Sequence, residues 1–134
     1  MSDPYFDTDA CVERLLKQYK KNPKLIVALD FDDTLYDFHQ QGHRYDKVIE
    51  LVKECQKVGF YVVIFTASQK KRYPFIIEHT HSLGIYPDGI NENVIESPFG
   101  NEGKIFYNIL LDDRSGLFSA YEILKLTIEK IKQN

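Results

Sequence analysis

The sequence predicts an α/β protein of the three-layer, Rossmann-like kind: a parallel sheet with helices on both faces. Three observations carry the prediction. Apolar runs alternate along the chain with stretches of helical periodicity. The runs LIVAL (25–29) and FYVVIFT (60–66) are continuous rather than alternating, as strands covered on both faces are. Carboxylates and hydroxyls stand directly after several of these runs, where open parallel sheets bind their ligands.

Each element has a local reason. Residues 1–8 are polar and read as frayed. Thr8 or Asp9 caps a helix to about Lys21, with Val12, Leu15, Leu16 and Tyr19 on one face. Asn22-Pro23 ends it, because the residue before a proline avoids helical geometry. The first strand spans 25–30, and 33–43 follows as a loop without clean periodicity. Tyr45, Val48, Ile49, Val52 and Cys55 form the apolar stripe of a second helix that Gly59 stops. After the strand at 60–66, Pro74 opens a third helix to about Leu83, with Gly84 as its stop. A short strand sits in the loop-like stretch GIYPDGINENVIES, and Gly100 and Gly103 bracket a turn. There is room for one more helix before the last strand, 108–112. The amphipathic stretch RSGLFSAYEILKLTIEKI closes the chain as a helix.

The 134 residues, 43% hydrophobic and 28% charged, suit a single domain, 1–134, around one core. A net charge of −3 leaves no global footprint for nucleic acid. No apolar run is long enough to span a bilayer, and MSDPYFDTDA lacks the basic and apolar regions of a signal peptide. Cys11 and Cys55 fall in predicted helices without metal-ligand spacing. The expectation is a cytoplasmic protein with reduced cysteines and no membrane partner. Oligomeric state is left open.

The first strand ends in a crowd of acids: Asp30, Asp32 and Asp33, followed by Thr34. Carboxylates packed together repel, and burying them without a counter-cation is costly. In extended backbone, residues two apart point the same way, so Asp30 and Asp32 should face one spot while Phe31 turns into the core. The second strand ends in Thr66, with Ser68 just beyond, and the last strand ends in Asp112-Asp113. Asp30, Asp32 and Asp112 would then converge as oxygen donors for a hard divalent cation. His79 and His81, two apart on a helix, point in different directions and make no metal site.

The order of these residues resembles the haloacid dehalogenase-like superfamily. DFDDTL is followed by FTAS, then GK, then LLDDR, which matches the four ordered motifs as Asp30/Asp32/Thr34, Thr66, Lys104 and Asp112/Asp113. Alone, Thr66 reads as a strand-end hydroxyl and Lys104 as a solvated lysine; the order singles them out. INEN…GKIFYNILLDDR looks similar to small stand-alone members from bacteria and phages. Many members have glycine where Asp33 stands. The resemblance implies an Mg²⁺-dependent phosphatase acting through an aspartyl-phosphate. Asp30 would be the nucleophile and Asp32 the general acid and base. Mg²⁺ would be held by Asp30, the Asp32 carbonyl and Asp112. Thr66 and Lys104 would bind the phosphoryl group, with Asp113 and Thr34 behind them.

Family members usually cover the site with an inserted cap. Neither 34–66 nor 66–104 leaves room for one, so a capless, open site is expected. The flap YDFHQQGHRY (36–45) would read the substrate through Tyr36, Phe38, His39 and His43, and Lys70, Lys71 and Arg72 would grip a second phosphate. The expected substrate is a small phosphate ester such as a nucleotide. Three alternatives share the residue types: a phosphatase of nucleic-acid ends, a receiver-like phospho-switch and a non-catalytic binding module. A receiver needs its phosphorylated aspartate at a middle strand end, where this chain has Thr66, and the intact acidic set argues against a purely binding role.

Overall fold

The computed structural model describes residues 3–94 and 105–133. A 3-10 turn at Pro4–Phe6 leads into α1 (Thr8–Lys21), β1 (Ile26–Asp30), α2 (Asp46–Lys57) and β2 (Tyr61–Phe65). A second 3-10 turn, Lys70–Arg72, precedes α3 (Tyr73–Ser82), β3 (Gly89–Ile90), β4 (Ile109–Leu111) and α4 (Leu117–Lys132). The cap of α1 is Asp7, one residue before the expected position: its extended backbone lets the carboxylate accept the Ala10 amide at 3.2 Å. The turn at Gly59 has φ +89°, a conformation that favours glycine, and so ends α2 where the sequence indicated. The start of α4 falls later than the RSG stretch because a turn after β4 uses Asp112 to Ser115. The Gly100–Gly103 turn and most of the space for an extra helix lie outside the described residues.

The four strands form one parallel sheet in the order β3-β2-β1-β4. Val27 pairs with Val62 and Ile109, and Leu29 with Ile64 and Leu111, so these side chains share one face. They join Leu25, Phe31, Leu15 of α1, Leu51 and Val52 of α2, Ile76 of α3, and Leu124 and Ile128 of α4 in one core cluster. On the opposite face Ile26, Ala28 and Val63 are buried as well, and Phe65 meets Tyr107 edge-on at 5.6 Å. The central strands are therefore covered on both sides, as their unbroken apolar sequence requires. This is the predicted α/β, Rossmann-like architecture.

Cys11 and Cys55 are free and buried, and burial pushes the Cys55 thiol up to about 12, so it is inert. Among the described residues no helix is long and apolar enough to cross a membrane.

Candidate active site

From β1 the chain runs outward through β2 to β3, then returns to place β4 on the other side of β1. The order of strands reverses between β1 and β4, and such a reversal opens a crevice at the carboxyl ends. Register brings the chemistry level there. Asp30 ends β1 opposite Phe65, which puts Thr66 one step further on. Leu29 is opposite Leu111, so Asp112 follows abreast of Asp30.

The carboxylates that converge are those of Asp30, Asp112 and Asp113, each offering an oxygen within 4.8 Å of the others. Two local devices hold them. The buried Thr34 hydroxyl donates to Asp113 Oδ1 and accepts the Asp113 amide, both at 3.2 Å. Asp112 Oδ1 accepts the Arg114 amide at 2.8 Å, fixing the turn after β4. Burial, the adjacent Asp113 carboxyl and the Asp112 charge together push the Asp30 carboxyl up to about 7. Three hard oxygen donors at this spacing could hold a divalent cation.

Only the carboxylate of Asp32 departs from the expected trio; its carbonyl, the ligand that the resemblance implies, is a different atom. That carboxylate does not join Asp30 and Asp112; Asp113 stands there instead. The physical reason is Arg72, whose Nη1 and Nη2 donate to Asp32 Oδ2 and Oδ1 at 2.7 and 2.8 Å. A fork of this kind commits both oxygens. The same pairing revises the expected role of Arg72 as a grip for a second phosphate. Phe31, between the two aspartates, is fully buried as expected.

On the β2 side, Thr66 Oγ1 accepts the Ser68 amide at 3.0 Å, which leaves its own proton to donate into the cleft. Asn91 clamps the Thr66 backbone: its Oδ1 accepts the Thr66 amide at 2.9 Å and its Nδ2 donates to the Thr66 carbonyl at 2.7 Å. Asn91 carries φ +53°, a left-handed conformation that asparagine tolerates better than most residues. Sequence reasoning did not single out Asn91; the only signal was an asparagine directly after a short strand.

These groups line an open cleft of about 600 Å³, with Phe38, His39, Ile105 and Arg114 on its walls. Of the flap, Phe38 and His39 thus reach the cleft. Tyr36 does not: it stacks on Phe31 at 5.4 Å and 10° between planes. His43 is exposed and lies 3.2 Å from Gln41 Oε1. Asp33 occupies a left-handed position, φ +60°, where glycine is easiest, and ties the flap down through His39 Nδ1 at 3.0 Å and the Tyr45 hydroxyl at 3.5 Å. Lys71 is exposed on the 3-10 turn and does not line the cleft. Ser68 Oγ is taken by Arg72 at 2.7 Å. Arg114, a cleft-lining cation, was missed because the sequence reading placed it at the start of the closing helix rather than at the strand end. Lys104 lies outside the described residues.

Comparison with known proteins adds to the fold alone. No family model matches the chain. No curated protein matches it either. Among solved structures it is similar to a conserved protein from Bacteroides thetaiotaomicron, with a TM-score of 0.61 and 20% identity over 82% of this chain and 91% of that one.

Proposed function

We propose that the protein is an Mg²⁺-dependent phosphomonoester hydrolase of the haloacid dehalogenase-like type, acting on small phosphate esters such as nucleotides. The observation that carries this reading is the meeting of Asp30, Asp112 and Asp113 at the β1–β4 crevice, with Thr66 level beside them across an open cleft. Mg²⁺ held by these carboxylates would neutralise charge between the nucleophile and the phosphoryl oxygens.

The chain's own residues do the rest. An Asp30 oxygen attacks phosphorus in line, forming a P–O bond as the bond to the leaving oxygen breaks and its electron pair departs with that oxygen. Asp32 gives that oxygen a proton, then takes one from the water that attacks the aspartyl-phosphate. The second displacement returns the Asp30 carboxylate and releases phosphate. Thr66 donates its hydroxyl proton to a phosphoryl oxygen. Lys104 belongs to this reading through its place in the motif order. Phe38 and His39, which line the cleft, are the aromatic groups available to a base or sugar. A cytoplasmic location belongs to the same reading, with which two free buried cysteines agree.

The test is phosphate release from nucleotides, sugar phosphates and 3′- or 5′-phosphorylated oligonucleotides, with Mg²⁺ and with chelator. Metal-dependent turnover that disappears in Asp30→Asn is expected. Turnover surviving in Asp30→Asn would remove the mechanism. Activity on oligonucleotides that falls steeply with salt would transfer the reading to nucleic-acid ends.

A further inference from the structure

Arg72 is built into the molecule more firmly than a surface arginine. It stands at the junction of the 3-10 turn and α3, and its side chain is only 24% exposed. Three of its N–H donors are taken, two by the Asp32 oxygens and one by Ser68 Oγ. Its guanidinium carbon lies 5.5 Å from the ring centre of Phe31, 5.8 Å from Tyr36, and 5.6 Å from both Phe38 and Phe75. Cation–π attraction operates within about 6 Å of a ring centre. The rings brace one another: Phe75 meets Phe31 and Tyr36 edge-on at 6.2 and 5.2 Å. Arg72 therefore sits in an aromatic box whose walls come from the residue just after β1, the flap and α3.

Asp32 without this partner would be free to rotate at the cleft edge. Bidentate pairing removes that freedom, because both oxygens must lie in the plane of a guanidinium that is itself held. Each oxygen still has a second lone pair with which to carry or accept a proton.

We propose that Arg72 is a positioning residue: it fixes Asp32 in the orientation from which the leaving oxygen is protonated and the attacking water deprotonated. The inference rests on the hydrolase reading above. It concerns the proton-transfer group alone, so its signature is dependence on the leaving group. A phenolate such as p-nitrophenolate leaves readily without help, whereas an alkoxide needs the proton.

The experiment compares glycerol 2-phosphate with p-nitrophenyl phosphate in the full chain with Mg²⁺. Arg72→Met should lower kcat/KM, which covers the steps up to loss of the leaving group, about 100-fold on the alkyl ester and by less than about 3-fold on the aryl ester, the size of effect expected when an acid–base group is displaced. Mg²⁺ affinity by calorimetry should stay at the parent value, while kcat on both esters falls through the shared hydrolysis of the aspartyl-phosphate. Arg72→Lys keeps the charge but not the fork, and should resemble Arg72→Met. In an Asp32→Asn background, Arg72→Met should change nothing further. Thermal melts of both Arg72 variants identify any that is unfolded, and the other then decides. Equal losses of kcat/KM on both esters, full rescue by lysine, additive effects with Asp32→Asn, or a gain of activity would each overturn the inference while leaving the hydrolase reading intact. A parent inactive on both esters, or an active Asp30→Asn, overturns the hydrolase reading and this inference with it.

Discussion

Asp30 and Asp32 are two residues apart on one strand end, yet their charges are settled in opposite ways. Asp32 is neutralised inside the chain by Arg72. Asp30 faces two further carboxylates, and its carboxyl is pushed up to about 7. Proteins compensate buried charge with an internal partner or leave it for a ligand. Among the described residues, one side of the cleft has its carboxylate paired, and the other gathers three carboxylates that could hold a cation. On the proposed reading, the paired side serves fixed geometry and the acidic side serves binding.

The comparison can be broken most decisively by removing the two carboxylates in turn. Asp30→Asn should abolish metal-dependent phosphate release, because an amide is not a nucleophile, while its metal-free protein should melt higher than the parent. Asp32→Asn should leave the Mg²⁺ affinity intact and lower stability by ~1–2 kcal/mol, the worth of a charge-assisted hydrogen bond lost around Arg72. Melting curves with and without Mg²⁺ would read both effects. If Asp32→Asn weakened Mg²⁺ binding as much as Asp112→Asn, the division of the cleft would be wrong.

Metal supplies the next effect. Mg²⁺ at a hundred times its dissociation constant should stabilise the protein by about 2.7 kcal/mol, and chelation should reverse this. Asp112→Asn and Asp113→Asn should each blunt the shift in a thermal-shift titration. An unchanged shift in both variants would place the ion elsewhere.

The pH dependence sharpens the same contrast. Unfolded, Asp30 titrates near its ordinary value of 3.8; folded, it titrates at about 7. Between those values the folded state holds a proton that the unfolded state has lost. Its contribution is therefore full below 3.8 and declines as pH rises through about 7. Chemical denaturation of metal-free protein across this range should show that loss, and Asp30→Asn should flatten it. Mg²⁺ should offset the loss at pH 8, since the ion takes the place of the proton.

The smallest effects belong to the flap. Phe38→Ala should raise KM for nucleotides and leave aryl phosphate nearly unchanged, the mark of lost uniform binding. Asp33→Gly relieves a left-handed residue but frees His39 and Tyr45, so its stability should stay within about 1 kcal/mol of the parent. A nucleotide KM equal to the parent's in Phe38→Ala would move base recognition away from the flap.

What the sequence made legible follows from range. The strands and helices were readable because their signals are local: an unbroken apolar run, a stripe at 3.6-residue spacing, a glycine stop. The levels of Asp30, Thr66 and Asp112 were readable because parallel sheets present their carboxyl ends on one edge. The pairing of Asp32 with Arg72 was not, because it joins residues 40 apart through the placement of a turn and a helix. Rotation of Asp113 rather than Asp32 toward Asp30 depends on the Thr34 hydroxyl, 79 positions from Asp113. Asn91 escaped notice for the same reason, since nothing near it in the chain announces that Thr66 needs a clamp.

The clamp of Asn91 has counterparts at other strand ends. Asp88 Oδ2 accepts the Val62 amide at 2.8 Å while the Asp88 amide donates to the Val62 carbonyl at 2.7 Å. Asn108 does the same to Ile26, at 2.7 and 2.8 Å. The two edge strands, β3 and β4, are only two and three residues long. Strands this short hold their alignment weakly through main-chain bonds, and a one-residue slip would turn every side chain to the other face. The side-chain clamps act as indexing pins, adding ladder bonds where the backbone has stopped supplying them. Their consequence is metrological: a slip of β4 by one position would carry Asp112 about 3.3 Å along the strand, out of reach of Asp30. The precision of the acidic cluster is thus set at the far end of the sheet, by an asparagine that never touches the cleft.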